Sequence, residues 1–443
     1  MVSPVTQRIV CKFGGSSVAD ASQFKKIKDI VDSDERRRII VVSAPGKRHA
    51  KETKLTDLLY STHDLALKGL DIAGPWTLIR ERYMEIVREL GLKSNVGSDL
   101  DHLETLLRET PQDVTVDYLV SRGEFLCARI MAEYLGATFV DSYPLIQFDA
   151  MHRVFPESYR AMAKELSGPG LYVLPGFYGA DSHGKVKTFT RGGSDISGAI
   201  LANGCNAEVY ENWTDVSGLL MADPRIVSGA KPMETVSYPE IRELAYSGAS
   251  VLHDEAIQPC REKNIPINIK NTNRPNDKGT LIGPPSTHAG HVITGVAGRK
   301  GFAMVHIEKS MMNKERGFGR KVFGIFEENG LCWEHSPTGI DSMSIVVEQK
   351  SFEVVEEIIM DSLIRQMAPD SVKVQKDLAL IATVGHGMNH HIGVAAQLFG
   401  ALAKSNVNVR IIDQGASEIN IIVGVDQADC DKAIQAIYTA FES

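Results

Sequence analysis

Hydrophobic and polar residues follow two different periods along the first two-thirds of the chain. Apolar residues recur every three or four positions over residues 20–31 and 196–203, at the start of a long helix at 55–59, and through a helix-rich stretch at 70–135. Short apolar runs between these stretches predict buried strands at residues 8–13, 38–43, 138–141, 171–174, 207–210, 265–269 and 280–282. Strands that alternate with helices in this way predict an α/β sandwich on a mainly parallel sheet.

The turn between the first strand and the first helix carries the strongest candidate chemistry. Gly14 and Gly15 are followed there by Ser16 and Ser17. Glycines let backbone N–H groups approach an anion closely, and we expect the following helix to direct its positive end towards that anion. Lys12 precedes the glycines, whereas the lysine of a P-loop follows them. An anion site and a plain tight turn beside an exposed lysine both remain open at this point.

A second Gly-Gly-Ser turn occurs at residues 192–194, immediately before another predicted helix. Arg191 precedes this turn and Asp195 follows it. Two such turns, one with a lysine and one with an arginine, suggest two anionic groups held face to face. Asp195 is then expected to hydrogen-bond and orient a cationic side chain such as Lys12.

Two further polar residues lie near predicted helix starts. Thr56 is either a helix N-cap or a residue facing the same crevice as the glycine turn, because ligands of open α/β sheets gather at the carboxyl ends of the strands. Glu124 belongs to residues 120–124, which we expect to open a helix. Glutamate is common in the first turn of a helix, so a ligand role is the less ordinary alternative for Glu124.

Composition and charge narrow the class of protein. The 443 residues allow two or three domains, and 43% hydrophobic with 23% charged residues is typical of a soluble globular protein. A net charge of −8 without a basic tract argues against nucleic-acid binding, and no apolar run has the length of a membrane span. The six cysteines are widely spaced, which indicates reduced thiols, a cytoplasmic location and no zinc site.

Eight segments, taken together and in this order, resemble the aspartate kinases, a branch of the amino acid kinase family. They are residues 12–18, 41–46 with 54–59, 120–124, 175–177, 191–195, 212–218, 222–227 and 248–253. The resemblance implies that ATP is bound by Lys12, Gly14, Gly15, Ser16, Thr214, Asp215, Arg225, Ser250 and Val251. It implies that aspartate is held by Thr56, Glu124, Arg191 and Ser194. Lys12 and Asp195 are then the catalytic residues, with Asp195 organising the cations.

The sequence departs from the family pattern at two positions. Ser250 stands where many members carry a lysine that contacts ATP, and Leu220 stands where some carry a tyrosine. Lys231 either supplies the missing charge or is a surface residue. Neither departure affects the residues expected to hold aspartate.

The expected cofactors are ATP and Mg²⁺, and the residue types suit such a reaction. A carboxylate acceptor is already ionised at pH 7, so its phosphorylation needs positioning and charge neutralisation rather than a general base. Mg²⁺ is expected to bind through phosphate oxygens and water. No protein metal site is predicted, because His386, His390 and His391 have no acidic or cysteine partner nearby in the sequence.

The last third of the chain is an internal repeat with an offset near 76 residues. Residues 322–326 recur as 398–402, and residues 344–347 recur as 420–423. Each unit is predicted to be a βαββαβ module and resembles the ACT domain, which binds small amino acids between paired copies. A pair of modules with only a structural role is the alternative.

The resemblance also suggests domain boundaries. We expect a catalytic domain at residues 1–285, a first ACT module at 301–376, and a second at 290–300 plus 377–443. Effector loops are expected at 311–319 and 334–342. The candidate effector-binding residues are Met312, Phe318, Gly319, Glu334, Asp341 and Ser342.

The leading hypothesis is an allosteric kinase that phosphorylates the side-chain carboxylate of L-aspartate to 4-phospho-L-aspartate. This is the first step of lysine, threonine and methionine biosynthesis. Lysine is the first choice of effector, with threonine alongside, and a homodimer or a dimer of dimers is expected through the ACT modules. One alternative is a kinase for another acidic amino acid, such as glutamate or N-acetylglutamate. Another, motivated by Ser250, is a catalytically weak amino-acid sensor.

Overall fold

The computed structural model describes residues 8–151, 153–189, 192–249, 256–284 and 292–442. Its strands are β1 (Ile9–Phe13), β2 (Arg37–Val42), β3 (Thr138–Phe139), β4 (Tyr172–Pro175), β5 (Tyr178–Ala180), β6 (Val186–Thr188), β7 (Val209–Thr214), β8 (Thr235–Ser237), β9 (Ile267–Asn271), β10 (Thr280–Gly283), β11 (Gly295–Glu308), β12 (Trp333–His335), β13 (Ser342–Glu348), β14 (Ser371–Val384), β15 (Val409–Asp413) and β16 (Asn420–Asp426).

The α-helices are α1 (Ala21–Asp32), α2 (Leu55–Leu67), α3 (Ala73–Glu89), α4 (Val96–Glu109), α5 (Val116–Leu135), α6 (Ser142–Leu145), α7 (Pro156–Glu165), α8 (Gly193–Gly204), α9 (Tyr238–Tyr246), α10 (Gln258–Glu262), α11 (Phe318–Glu328), α12 (Gln349–Met367), α13 (Val394–Lys404) and α14 (Cys430–Glu442). No helix of the described segments is long and apolar enough to cross a membrane.

The described residues form two compact units. The first unit contains the described residues of ranges 1–219, 232–238 and 251–286. The second unit contains the described residues of ranges 220–231, 239–250 and 287–443. The second unit therefore includes two segments that the chain reaches before the predicted boundary at residue 285. That boundary itself adjoins residues 285–291, which lie outside the described residues, so it stays a prediction.

The first unit is built on an eight-stranded sheet with the order β3-β4-β2-β1-β7-β9-β10-β8. All neighbouring strands run parallel except β9 and β10. Helix α8 packs against β1, β2 and β7, while Cys11, Phe13 and Trp213 join one apolar core with helices α1 to α5. Helices thus cover both faces, and the predicted α/β sandwich on a mainly parallel sheet is confirmed.

Two local predictions in this unit are wrong. A short 3₁₀ helix, Gly15–Val18, separates the glycine turn from α1, and the side chain of Asp20 caps α1 by accepting a hydrogen bond from the backbone N–H of Gln23. The side chain of Asp20, and not the glycine turn, therefore lies at the N-terminal end of α1. Helix α5 begins at Val116, where Thr115 caps it, so Glu124 lies in the middle of a helix and not at its start.

The second unit contains a six-stranded antiparallel sheet with the order β12-β13-β11-β14-β16-β15. Strands β11 and β14 are both 14 residues long and pair along most of their length, with register shifts around Phe302. One half of β11 pairs with β13, and the opposite half of β14 pairs with β16. Each long strand therefore serves two βαββαβ modules that lie side by side.

The repeat is also visible in its helix starts. Gly317 caps α11 and Gly393 caps α13, both with positive φ, and both helices have 11 residues. The outermost strands β12 and β15 are connected by a contact of 2.5 Å between His335 Nδ1 and Asp413 Oδ2. The two edge strands are therefore in contact through these side chains.

Candidate active site

A cavity of about 810 Å³ lies in the first unit, where the chain leaves β1, β2 and β4. This is the edge at which open α/β sheets bind ligands. Its lining residues are Lys12, Ser43, Lys54, Thr56, Asp57, Tyr60, Glu124, Phe177, Phe189, Gly192, Gly193, Ser194 and Asp195. The cavity thus brings Lys12 and the second Gly-Gly-Ser turn together with three of the expected aspartate residues, Thr56, Glu124 and Ser194, whereas Gly14, Gly15 and Ser16 are not among its lining residues.

Lys12 and Asp195 meet in this cavity. The Lys12 ammonium lies 2.5 Å from Asp195 Oδ1, and the lysine side chain is only 9% exposed. Asp195 sits in the first turn of α8, where an acidic residue is favoured by the helix dipole. The carboxylate is thus placed to orient the lysine, as expected from the sequence.

The same carboxylate oxygen accepts a second hydrogen bond, from Asn212 Nδ2 at 2.9 Å. Tyr210, two residues earlier on β7, donates its hydroxyl to the backbone carbonyl of Asp195 at 3.1 Å. Neither Tyr210 nor Asn212 is predicted as a site residue from the sequence. Asn212 was part of a recognised motif, but no sequence signal shows that β7 lies beside β1.

The turn that follows β1 packs directly against the one that follows β2. Gly46 N–H donates to the carbonyl of Gly15 at 2.8 Å, and Gly14 N–H donates to the carbonyl of Trp213 at 3.0 Å. A Cβ atom on Gly46 would lie 2.5 Å from the Gly15 carbonyl carbon and 2.8 Å from Ser16 N. Only glycine allows this approach, so the two turns form a single rigid wall. Ser16 is half-buried in it.

Thr56 is the second residue of α2, and the N-cap position belongs to Lys54, whose side chain makes no capping hydrogen bond. The N-cap alternative for Thr56 is therefore wrong. Instead Thr56 lines the cavity together with Lys54 and Asp57. The first turn of α2 consequently faces the site with its N-terminal end.

Glu124 is 4% exposed and lines the same cavity from the middle of α5. Burial raises the pKa of its carboxyl to about 8, although backbone N–H groups and the nearby charge of Lys12 oppose the shift. Its Oε2 atom has no hydrogen-bond partner among the described residues. A buried acid with an unused oxygen is suited to receive a cationic group of a ligand.

Ser194 is buried in the cavity wall, and Gly176 packs against it so closely that an added Cβ would lie 2.8 Å from Ser194 Cβ. Arg191, Ser250 and Val251 lie outside the described residues. Their expected roles stay predictions.

The residues expected at the nucleotide lie at the end of β7 and beyond. Thr214 closes this strand, and its hydroxyl donates to Asp215 Oδ1 at 3.2 Å. Asp215 is exposed, and its carbonyl accepts a hydrogen bond from Asn271 Nδ2 at 3.2 Å. Both side chains are therefore accessible to a ligand at this edge of the sheet.

Arg225 belongs to the second unit, and its side chain is 84% exposed. Its guanidinium group forms an ion pair with Asp223 at 2.5 Å. The backbone N–H of Arg225 also donates a hydrogen bond to Asp223 Oδ1. Lys231, also in this unit, pairs with Glu442 of α14 and is half-exposed. A role of either cation at the nucleotide stays a prediction.

The effector candidates surround the start of α11 and the start of β13. Met312 is buried in a 3₁₀ helix, Phe318 and Gly319 are the first residues of α11, and Ser342 begins β13. These four residues and the two acids below all lie in the second unit.

The two acids among these candidates differ in their surroundings. Glu334 accepts hydrogen bonds from Arg299 and Tyr246, both at 2.6 Å. Asp341 is exposed, and its backbone carbonyl accepts from Lys309 N–H at 2.9 Å. Asp341 is therefore better placed than Glu334 to bind an added ammonium group.

The fold and the cavity define a kinase of the amino acid kinase type, followed by ACT modules. The profile of the amino acid kinase family matches residues 7–271, and that of an ACT domain matches residues 381–441. The chain is similar to Bacillus subtilis aspartokinase 3, with 38% identity over 446 residues that cover 98% of each chain. The chain belongs to the aspartokinase branch of the amino acid kinase family, and the resemblance stated from its motifs is confirmed.

Solved structures agree with this assignment. The crystal structure of Clostridium acetobutylicum aspartate kinase has a TM-score of 0.89 and 46% identity, covering 98% of this chain and 100% of that one. Escherichia coli aspartokinase III in complex with aspartate and ADP gives 0.79 and 27%, covering 99% of this chain and 100% of that one. Its complex with lysine and aspartate gives 0.73 and 26%, covering 98% and 100%. The prediction of an enzyme is thus confirmed.

Proposed function

We propose that the protein transfers the γ-phosphoryl group of ATP to the side-chain carboxylate of L-aspartate, producing 4-phospho-L-aspartate and ADP. The observation that carries this proposal is the single cavity shared by Lys12, Asp195, Ser194, Thr56 and Glu124. The complex of the Escherichia coli relative with aspartate and ADP supports the same pair of ligands.

Aspartate is bound by complementary charges in this proposal. Glu124 receives the α-ammonium group, because its Oε2 atom is buried and unpaired among the described residues. Arg191 binds a carboxylate, while Thr56 and Ser194 donate hydroxyl hydrogen bonds. The side-chain carboxylate of aspartate is thereby directed towards Lys12.

Phosphoryl transfer then needs no base from the protein. An oxygen of the ionised aspartate side chain attacks the γ-phosphorus, the bond from that phosphorus to the β,γ-bridging oxygen breaks, and ADP leaves. Negative charge builds up on the phosphoryl oxygens and on the leaving ADP. Lys12, oriented by Asp195, neutralises part of this charge in a largely buried position.

The nucleotide is expected to lie along the wall formed by Gly14, Gly15 and Ser16, and beside Thr214 and Asp215. Arg225, Ser250 and Val251 are proposed to border it further out. Among the described residues, no three histidine, cysteine or acidic side chains cluster as a metal site. Mg²⁺ commonly keeps several waters and binds through substrate phosphates, so we infer that it would arrive with ATP and would supply further charge neutralisation.

Regulation by an amino acid is the second part of the proposal. The reaction would open lysine, threonine and methionine biosynthesis, so an end product is the natural effector. The complex of the Escherichia coli relative with lysine and aspartate favours lysine. Threonine is proposed as a second effector because it is another end product. Asp341 would bind the effector ammonium, and paired ACT modules would join chains into a homodimer or a dimer of dimers. A cytoplasmic location is proposed with this role.

An ADP-release assay over several acceptors tests the proposed reaction. Purified protein with MgATP should release ADP with L-aspartate and much more slowly with L-glutamate or N-acetyl-L-glutamate. If the protein prefers either of these two acceptors, that acceptor and not aspartate is its substrate. Absence of turnover with every acceptor, in protein that still binds lysine, would instead favour an amino-acid sensor.

A further inference from the structure

Asp195 is held by two side chains that stand next to each other on the central sheet. Lys12 on β1 and Asn212 on β7 are partners in the register of these neighbouring parallel strands. Their side chains therefore leave the same face of the sheet and reach the same atom, Asp195 Oδ1, at 2.5 and 2.9 Å. The carboxylate thus has one charged and one neutral donor.

The two donors have different tasks during the proposed reaction. Lys12 has to share its ammonium protons with the phosphoryl group as charge develops there. The Asn212 amide carries no charge, so it can hold the Asp195 carboxylate without competing for Lys12 and without attracting the phosphates. Asn212 is 3% exposed, so little water can compete for its hydrogen bond to Asp195.

The backbone of Asp195 is fixed separately. Tyr210 donates its hydroxyl to the Asp195 carbonyl at 3.1 Å. Gly198 on α8 makes room for this ring, because a Cβ there would lie 2.6 Å from the Tyr210 hydroxyl. The start of α8 is thus anchored by Tyr210, while the direction of the carboxylate depends on Lys12 and Asn212.

We propose that Asn212 is a positioning residue for phosphoryl transfer: it keeps the Asp195 carboxylate aimed at Lys12 when Lys12 turns towards the transferring group. This inference rests on the proposed function, since it concerns the same reaction. A hydrogen bond to a charged group commonly contributes a factor of about 10 to 100. Loss of the amide should therefore lower kcat by about 10- to 100-fold.

The test compares Asn212→Leu with Asn203→Leu. Asn203 is an equally buried residue of α8 whose amide donates to the carbonyl of Pro259 at 2.8 Å. Asn212→Leu should lower kcat as stated while the KM values for aspartate and MgATP change less than about threefold. Asn203→Leu should affect thermal unfolding but leave kcat within about twofold. Asn212→Ser, which is smaller and too short to reach Asp195, should reproduce the loss if the leucine variant fails to fold.

A second measurement asks whether Asn212 acts through Asp195. In an Asp195→Ala background, assayed at high enzyme concentration, adding Asn212→Leu should change kcat less than about twofold. An equal loss in both backgrounds would overturn the inference. So would a kcat of Asn212→Leu within about twofold of the wild type, or an equal loss in Asn203→Leu. These outcomes leave the wild-type activity intact, whereas failure of the proposed function would be seen in the wild type itself.

Discussion

Lys12 is the residue whose charge the proposed reaction needs most. Its ammonium is buried next to Asp195 and faces the cavity, so Lys12→Met removes a preorganised cation from the transition state. We expect kcat to fall by about 10²- to 10³-fold, with little change in the KM for aspartate. Steady-state kinetics measures both values. Lys28→Met, which removes a half-exposed lysine of α1, is the control, and near-normal kcat in Lys12→Met would contradict the assignment.

Glu124 leads to a prediction about protons. Because burial raises its pKa to about 8, this carboxyl is mostly protonated in the free protein at pH 7. An ammonium group bound beside it favours the ionised form and lowers the pKa, so aspartate binding should release close to one proton. Aspartate affinity should accordingly increase as the pH rises from about 4.5 to about 8, and then level off.

Calorimetry in two buffers with different ionisation enthalpies measures this proton release directly. Glu124→Gln should abolish the release and weaken aspartate binding far more than ATP binding. The raised pKa also means that the folded state binds the extra proton. The contribution of Glu124 to stability should therefore be present at low pH and be lost as the pH rises towards 8. Aspartate binding without proton release would contradict the proposed role.

Among the elements, the loop between β2 and α2 connects two walls of the cavity. Glu52 in this loop accepts hydrogen bonds from Arg48 and pairs with Arg82 of α3, which is 7% exposed. Arg82 also donates to the carbonyl of Ala19, just beyond the glycine turn, at 3.1 Å. Burial alone would raise the pKa of Glu52, but the bonds from Arg48 and Arg82 outweigh burial and lower it to about 2.

Glu52→Gln should loosen this loop and the start of α2. The substitution leaves the buried Arg82 without its ion pair, so we expect the free energy of unfolding to fall by about 3 kcal/mol. We also expect a several-fold rise in the KM for aspartate, with little change in kcat. Because the pKa is lowered, the contribution of Glu52 is present above about pH 4.5 and is lost as the pH falls towards 2. Denaturant unfolding and steady-state kinetics are the measurements.

Glu104→Gln on α4 provides the matched control for Glu52. Glu104 pairs with Arg108 at the surface, where ion pairs contribute at most about 1 kcal/mol. An unchanged KM in Glu52→Gln would show that the loop does not position the aspartate site.

Most strands and helices could be predicted from hydrophobic periodicity. Buried polar residues in the sheet interrupt this periodicity, so part of one strand could not be predicted. Strand β7 was expected to end at residue 210, whereas it continues to Thr214. Glu211 and Asn212 interrupt the apolar run, and each is buried with a partner from elsewhere: Arg37 for Glu211 and Asp195 for Asn212. Periodicity cannot show such partners, because they come from distant parts of the chain.

The candidate site could likewise be predicted only in part from the sequence. The meeting of Lys12 and Asp195 was predictable, because each belongs to a motif whose chemistry needs the other. The start of α5 was missed although Thr115 is a common capping residue, and the raised pKa of Glu124 follows from packing that only the fold reveals. The role of Asn212 depends on the neighbouring positions of β1 and β7, which a single sequence does not contain.

At the scale of the whole molecule, the proposed regulation depends on the second unit. Asp341→Ala should abolish inhibition by lysine, or by threonine, while activity without effector stays normal. Typical coupling between two sites corresponds to about 5- to 150-fold in affinity, so the loss is readily measured from inhibition curves. Asp361→Ala, which removes an exposed acid of α12, is the control. If neither amino acid at millimolar concentration changes the wild-type rate, this regulation is absent.

In the proposed reaction, the side-chain carboxylate of L-aspartate is phosphorylated in the cavity around Lys12 and Asp195. The product is an acyl phosphate, which hydroxylamine converts to a hydroxamate with release of phosphate. Mass spectrometry of the reaction of MgATP, L-aspartate and hydroxylamine identifies which carboxyl carries the hydroxamate. We predict aspartate 4-hydroxamate in amounts equal to the ADP released, and about 10²- to 10³-fold slower formation by Lys12→Met. ADP release without any hydroxamate, or a hydroxamate on the α-carboxyl group, would contradict phosphorylation of the aspartate side chain.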